Sequence, residues 1–184
     1  MKSYTEKAEI MDKQTVDRAI KRIAYEIIER NKGTENVVLI GIQTKGGSIA
    51  KNVAAKIKEF EGIELPLGTL DITFYRDDLT MLTQHPVIKQ SDIPFAIEGK
   101  NIILVDDVLY SGRTIRAAIE ELFDMGRPAK IELAILIDRG HRELPIRADY
   151  IGKDVPTSKR ERINVEVDEN DNIMRVSLGT VDIQ

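Results

Sequence analysis

The chain has 184 residues, 42% of them hydrophobic and 32% charged, with a formal net charge of −4, a composition that suits one globular domain with a sizeable core. The absence of cysteine excludes disulfides, thiolate metal sites and a thiol nucleophile, and two histidines, His85 and His141, are too few for a multi-histidine metal site. The negative balance argues against indiscriminate nucleic-acid binding, and no apolar run is long enough to cross a bilayer.

The opening stretch, MKSYTEKAEIMDK, lacks the apolar core of a signal peptide. Together with the missing cysteines this leads us to expect a cytoplasmic protein. From Asp12 to Lys32, Val16, Ala19, Ile20, Ile23, Ala24, Ile27 and Ile28 recur at helical spacing, and Gly33 stands where a helix stops. VVLIGI, Val37 to Ile42, reads as a buried strand. Gly46 and Gly47 lead into a second helical pattern through Ile49, Ala50, Val53, Ala54 and Ile57. TLDITFY, Thr69 to Tyr75, alternates as a strand does. The stretch from Arg76 to Asp92 is long, polar and without period, so it is either a lid or a disordered connection, and we take it as a lid.

Strand and helix then alternate again: strand Asn101 to Val105, helix Thr114 to Phe123, strand Lys130 to Ile137. Short strands are expected near Asp149 to Gly152 and Arg162 to Val167, and DENDN is expected to turn the chain into IMRVSL. This order implies a mainly parallel, twisted α/β sheet flanked by helices, with ligands at the carboxyl ends of its strands. We treat residues 1–184 as a single domain, with 76–92 as a flexible lid loop and 150–184 as hood strands and a C-terminal segment.

IILVDDVLYSGRT, Ile102 to Thr114, carries the chemistry. Adjacent carboxylates have no place inside an apolar strand and good sense at its exit. A P-loop ATPase would need a partner loop with lysine before Ser48, but GIQTKGGS puts Gly47 there. An α/β-hydrolase would need G-x-S-x-G, and Ser111 lacks that frame. A phosphorylation receiver would carry its acids earlier in the chain. The remaining reading uses the whole stretch. A Ser-Gly-Thr turn before a helix wraps a phosphate monoester with backbone N–H groups and hydroxyls, while two carboxylates beside it accept hydrogen bonds from a vicinal diol. Phosphate and diol together describe a ribose 5-phosphate.

ILVDDVLYSGRT resembles the 5-phosphoribosyl-1-pyrophosphate (PRPP) signature of type I phosphoribosyltransferases. DITFYRDDL, DIPF and DRGHRELPIRADYIGKDVPTSK narrow the likeness to the pyrimidine-operon regulator family PyrR, over roughly Met11 to Arg162. The resemblance implies the type I phosphoribosyltransferase fold with a hood and mobile lid, and transfer of ribose 5-phosphate from PRPP to uracil, giving UMP and pyrophosphate. It implies magnesium held mainly through PRPP, with no metal ligated directly by the protein. It also implies UMP- or UTP-sensitive binding of pyr operon leader mRNA, causing transcription attenuation, and a homodimer or larger homo-oligomer.

Carried over residue by residue, the resemblance gives Asp106 and Asp107 to the ribose hydroxyls. Val108, Leu109, Tyr110, Ser111, Gly112, Arg113 and Thr114 go to the 5-phosphate, and Thr44, Lys45 and Gly46 to pyrophosphate. Arg139 is expected near pyrophosphate or nucleotide, Val155 near uracil's edge, and Arg76 and Asp77 in the hood over the reacting centre. Arg18, Arg22, Arg30, His141, Arg142, Arg147 and Lys153 are the expected RNA contacts, although taken alone the first-helix arginines also fit a solvated amphipathic face. Two other functions stay open at this point: a purine-base phosphoribosyltransferase without RNA binding, and a regulator with no catalysis.

The chain departs from the family pattern at Lys45, where the pyrophosphate loop usually has arginine, and at Tyr25, where histidine is expected on the first helix. Lysine keeps the charge and loses the bidentate fork. Steady-state kinetics of Lys45→Arg should therefore show a higher rate than the unaltered chain, and an unchanged or lower rate would count against this reading of the loop.

Overall fold

A computed structural model describes residues 3–72 and 91–182. Five parallel strands form the main sheet in the order β3 (Leu67–Leu70), β2 (Val37–Ile42), β4 (Asn101–Leu109), β5 (Lys130–Asp138) and β6 (Tyr150–Asp154). The helices are α1 (Lys13–Asn31), α2 (Lys45–Glu61) and α3 (Arg113–Met125). Three antiparallel strands, β1 (Ser3–Met11), β8 (Ile173–Asp182) and β7 (Glu161–Val167), form a second, smaller sheet in that order.

The apolar runs of the central strands are explained by burial on both faces. Val37, Leu39, Ile103, Val105, Ala134 and Leu136 pack with α1 and α2, while their neighbours Val38, Ile40, Ile102, Leu104, Leu133 and Ile135 pack with α3. Each such valine, leucine or isoleucine contributes about 1.5–3 kcal/mol relative to leaving it exposed. On α1 the predicted stripe is the buried one, from Val16 to Ile27, with Ile28 packed against its margin. Asp12 caps the helix through Thr15 N at 2.7 Å. Lys32 and Gly33 both take positive φ at its end, and Gly33 N donates to Ile28 O at 2.9 Å.

Four features depart from the expectations or lie outside them. The stretch before Asp12 forms strand β1, which the sequence reading left unassigned. The expected hood at 150–184 divides: β6 pairs in parallel with β5, from Ala134↔Tyr150 to Asp138↔Asp154, and so belongs to the main sheet. Only β7 and β8 join β1 in the small sheet. The strand placed at Asn101 to Val105 runs on to Leu109, because its ladder with β5 continues to Leu109↔Asp138. The acidic pair thus lies within β4 on its β5 side. On the other side the pairing with β2 stops at Gly41↔Val105, one residue before Asp106. The strand predicted at Thr69 to Tyr75 begins earlier, at Leu67, and its last three residues lie outside the described residues, as does nearly all of the expected lid.

Gly41 sets the path of the chain leaving β2. A Cβ there would stand 2.5 Å from both Gly46 O and Gly47 Cα, which are backbone atoms and cannot rotate aside. Gly41→Ala should destabilise the fold by about 1–3 kcal/mol through overpacking, read as a lowered urea midpoint with an unchanged m-value.

Candidate active site

Two helices begin beside each other at the carboxyl edge of the sheet, α2 after β2 and α3 after β4. Both beginnings share a deficiency. Thr44 makes no side-chain hydrogen bond to α2, Gly112 has no side chain to offer α3, where the Ser111 hydroxyl accepts from Arg113 N, and neither first turn contains an acid. The N–H groups of a helix's first turn carry partial positive charge and lack intrahelical partners. Two such ends side by side suit a ligand with two separate anionic groups.

The acidic pair lies between them. Asp106 is 7% exposed, and its Oδ1 accepts from Asp107 N at 2.9 Å; Asp107 is half-buried, and its Oδ1 accepts from Val108 N at 2.9 Å. The loop that opens α2 comes directly against the first carboxylate. A Cβ on Gly46 would meet Val105 O at 2.5 Å, Asp106 Cα at 3.1 Å and Asp106 Oδ1 at 3.2 Å. Thr44, Lys45, Gly46 and the acids are therefore in one place, as the sequence motifs imply, and the Gln43–Thr44 peptide is cis.

On the other side, Leu109 to Thr114 make the turn into α3. Gly112 takes φ +93, and Arg113 N donates to Ser111 Oγ at 3.3 Å. The loop after β5 braces this turn. Ser111 O accepts from Glu143 N at 2.9 Å and Leu144 N at 3.2 Å, and Arg113 Nε reaches Glu143 Oε2 at 2.6 Å.

Arg139 does not stand open to a ligand. It is 5% exposed, with Nε donating to Thr157 Oγ1 at 2.9 Å and Nη2 to Glu161 O at 2.7 Å and Ser158 O at 3.2 Å. Its guanidinium lies 4.1 Å from the centre of the Tyr110 ring, and burial lowers its pKa from the usual arginine value. Arg139 thereby ties the Tyr110 turn to the segment entering β7. Val155 is likewise internal at 8% exposure, with its N–H donated to Asp138 O at 2.8 Å. Next to it a hollow of about 450 Å3 is lined by Asp138, Arg139, His141, Arg142, Asp154 and Thr157, among others.

The expected RNA contacts separate in the structure. Arg142 is a brace: Nη1 donates to Tyr110 O at 2.8 Å, Nε to Ile146 O at 2.9 Å, and Nη2 pairs with Asp138. His141 Nε2 is shared with Thr157 O. Arg22 reaches Ile151 O and Gly152 O, Lys153 Nζ reaches Ile10 O at 3.1 Å, and Arg30 pairs with Glu132 at 3.2 Å and Asp149 at 2.9 Å. These three line the seam where α1 and the β1–α1 junction cover the edge strand β6. Arg18 is exposed, with a contact to Thr15 at 3.3 Å in its own helix turn, and Arg147 is exposed.

Arg76 and Asp77 lie outside the described residues. The chain on either side of residues 73–90 is joined. Thr69 and Asp92 exchange two backbone hydrogen bonds at 2.8 Å, and the Ser91 hydroxyl accepts from Asp71 N at 2.9 Å while donating to Glu121 Oε1 at 2.7 Å. Burial raises the Glu121 pKa most, ahead of the opposing effect of Ser91. The small sheet adds two contacts that the motifs did not reveal. Lys45 Nζ donates to Asn164 Oδ1 on β7 at 3.4 Å, and Ser48 Oγ donates to Asp171 Oδ1 at 2.6 Å. The only sequence signal for Asp171 was its place in a turn.

Among known proteins, residues 6–170 match the family model of the phosphoribosyl transferase domain. Bifunctional protein PyrR of Caldicellulosiruptor bescii is 59% identical over 174 residues, which is 95% of this chain and 96% of that one. Its counterpart from Bacillus mycoides is 57% identical over 175 residues, 94% and 97% of the two chains. A hypoxanthine-guanine phosphoribosyltransferase from Bacillus anthracis superposes with a TM-score of 0.69 at 20% identity, covering 95% of this chain and 99% of that one. A hypoxanthine phosphoribosyltransferase from Trypanosoma cruzi, solved as a ternary substrate complex, gives 0.72 at 19% identity over 93% and 95%. These two structures share the fold. By its match over residues 6–170 and its 59% and 57% identity to the Caldicellulosiruptor bescii and Bacillus mycoides proteins, the chain belongs to the phosphoribosyltransferase family and, within it, to the PyrR proteins.

Proposed function

We propose that this chain transfers the 5-phosphoribosyl group of PRPP to uracil, releasing pyrophosphate, and binds pyrimidine-operon leader mRNA in a UMP-dependent manner to attenuate transcription. The observation that carries the transferase reading is the close approach of Gly46 to Asp106, which brings the start of α2 against the paired carboxylates that lead into the turn before α3. A sugar bearing phosphate at one end and pyrophosphate at the other fits that spacing of charge.

The reaction breaks an anomeric C–O bond as the ribose ring gains oxocarbenium character and uracil nitrogen bonds to the same carbon. The protein's work is positioning and charge stabilisation more than nucleophilic chemistry. In this reading Asp106 and Asp107 accept hydrogen bonds from the two ribose hydroxyls and hold the ring still. Ser111, Thr114 and the N–H groups from Tyr110 to Thr114 hold the 5-phosphate. Thr44, Lys45 and Gly46 receive the departing pyrophosphate. Arg139 and Arg142 act at one remove, by fixing the Tyr110 turn, and Val155 fixes the wall of the hollow next to it.

Magnesium fits as a companion of the substrate. Among the described residues no three histidine, aspartate or glutamate side chains converge into a metal-binding group, and the carboxylates of Asp106 and Asp107 beside the proposed diol are hard oxygen donors of the kind magnesium prefers. When bound with PRPP, the ion neutralises charge on the pyrophosphate.

For RNA, Arg22, Arg30 and Lys153 at the α1–β6 seam and the exposed Arg18 and Arg147 support binding, with phosphate contacts giving affinity and loop bases giving choice. Arg30 is held by two carboxylates and contributes less free charge than the others. UMP at the PRPP site tightens RNA only by preferring the RNA-competent state, and RNA must tighten UMP by the same factor.

Uracil-dependent release of pyrophosphate from PRPP tests the first activity, with hypoxanthine and guanine as controls. Asp106→Asn should lower kcat/KM roughly ten- to a hundredfold by removing a charge-assisted contact to the diol; a rate equal to the unaltered chain would sink the assignment. For the second activity, titration of leader RNA should show salt-steep binding that UMP tightens, and weak binding indifferent to UMP would leave the enzyme alone.

A further inference from the structure

The C-terminal hairpin reaches across to the start of α2, and the contact is denser than packing requires. Asp171 Oδ1 accepts from Ser48 Oγ at 2.6 Å, Oδ2 accepts from Lys51 Nζ at 2.6 Å, and its backbone carbonyl accepts from Asn52 Nδ2 at 2.8 Å. Three side chains on the first turns of one helix thus converge on a single residue. Ser48 is 6% exposed, so its hydroxyl cannot turn to bulk water without moving the helix. It directly follows Lys45, Gly46 and Gly47, the loop assigned to pyrophosphate.

The turn that presents Asp171 is itself rigid. Asp168 Oδ1 accepts from Asn170 N at 2.8 Å and Asn172 N at 2.9 Å, and Asp171 N donates to Asp168 O at 3.1 Å. Asp171 has φ +63, a conformation that glycine or asparagine adopts more readily and that would serve a plain turn equally well. What aspartate adds is the carboxylate, and α2 has no acid of its own in its first turn. The small sheet therefore supplies that helix with an anion near its positive end.

Gly46 and Gly47 lie in the first turn of α2, where the backbone freedom of glycine weakens the helix. We infer that Asp171 is a positioning residue for the pyrophosphate loop, latching the small sheet to Ser48 and Lys51 so that Lys45, Gly46 and Gly47 are held in their PRPP-binding conformation. This rests on the transferase reading above. The hollow between the two, about 640 Å3, is lined by Thr44, Lys45, Ser48, Val165, Glu166 and Asp171, among others. The latch spans one side of the space that the pyrophosphate arm enters.

The test uses the full chain and three variants: Asp171→Gly, which suits the positive φ, Asp171→Asn, which keeps an acceptor for Ser48, and Ser48→Ala. PRPP affinity is measured by calorimetry without uracil, and KM for PRPP and for uracil by steady-state kinetics. Asp171→Gly should weaken PRPP binding about five- to tenfold with little change in KM for uracil, and Asp171→Asn should recover part of the loss. Combining Asp171→Gly with Ser48→Ala should cost no more than Asp171→Gly alone, since that change already removes the Ser48 contact. Equal PRPP affinity in Asp171→Gly and the unaltered chain overturns the latch and leaves the transferase reading intact. Tighter binding also overturns it, by showing that the carboxylate chiefly repels the substrate. A fall in activity that tracks a lowered melting temperature while PRPP affinity holds reduces the contact to packing and overturns it too. No PRPP binding by the unaltered chain overturns latch and transferase together.

Discussion

One close approach governs the site: the backbone of the loop opening α2 lies against the backbone of β4 where the acids begin. The missing Cβ of Gly46 is the condition for it, since any side chain would need the space held by Val105 O and the Asp106 carboxylate. Gly41 meets the same demand one strand earlier. If either place is filled, the two helix starts separate and the acid pair no longer lies between them. Affinity for a doubly anionic sugar phosphate depends, on this view, on the absence of two methyl groups as much as on any charged residue.

Around that contact the charged residues divide by exposure more than by sequence motif. Arg139 and Arg142 belong to a stretch dense in cations, and both point inward, Arg139 to Glu161 O with its guanidinium over the Tyr110 ring and Arg142 to Tyr110 O in the turn before α3. A buried guanidinium is tolerable because its fork finds several acceptors at once. The same stretch leaves Arg147 at the surface, and α1 leaves Arg18 there. A cluster that looks uniform along the chain thus separates into internal ties and outward charge.

Much of the fold was legible because burial imposes a period. The stripe on α1, the solid apolar runs of β2 and β5, and the glycine after α1 each follow from one packing constraint. β1 was not legible: its residues from Tyr4 to Glu9 are exposed, so no alternation of apolar and polar residues marks it as a strand. β4 was read too short because its ladder continues past the carboxylates on one side only, a fact of neighbouring strands that no local pattern carries. β6 was assigned to the hood because five residues give little sign of which sheet they join. Within the site, Asp106, Asp107 and the phosphate turn were visible as an ordered motif. The engagement of Val155 N by Asp138, and of Ser48 by Asp171, arises between segments far apart in sequence and had no local mark.

The small sheet also has a temporal meaning. Among the described residues its middle strand is the last and one of its outer strands the first, with Ser3 paired to Asp182. A ribosome releases the N-terminal end long before the C-terminal end exists, so β1 has no partner while most of the polypeptide is being made. Its polar, exposed character keeps such a waiting segment from seeking other strand edges. The five-stranded sheet has all its pieces earlier, and the small sheet is completed only when β8 has followed β7.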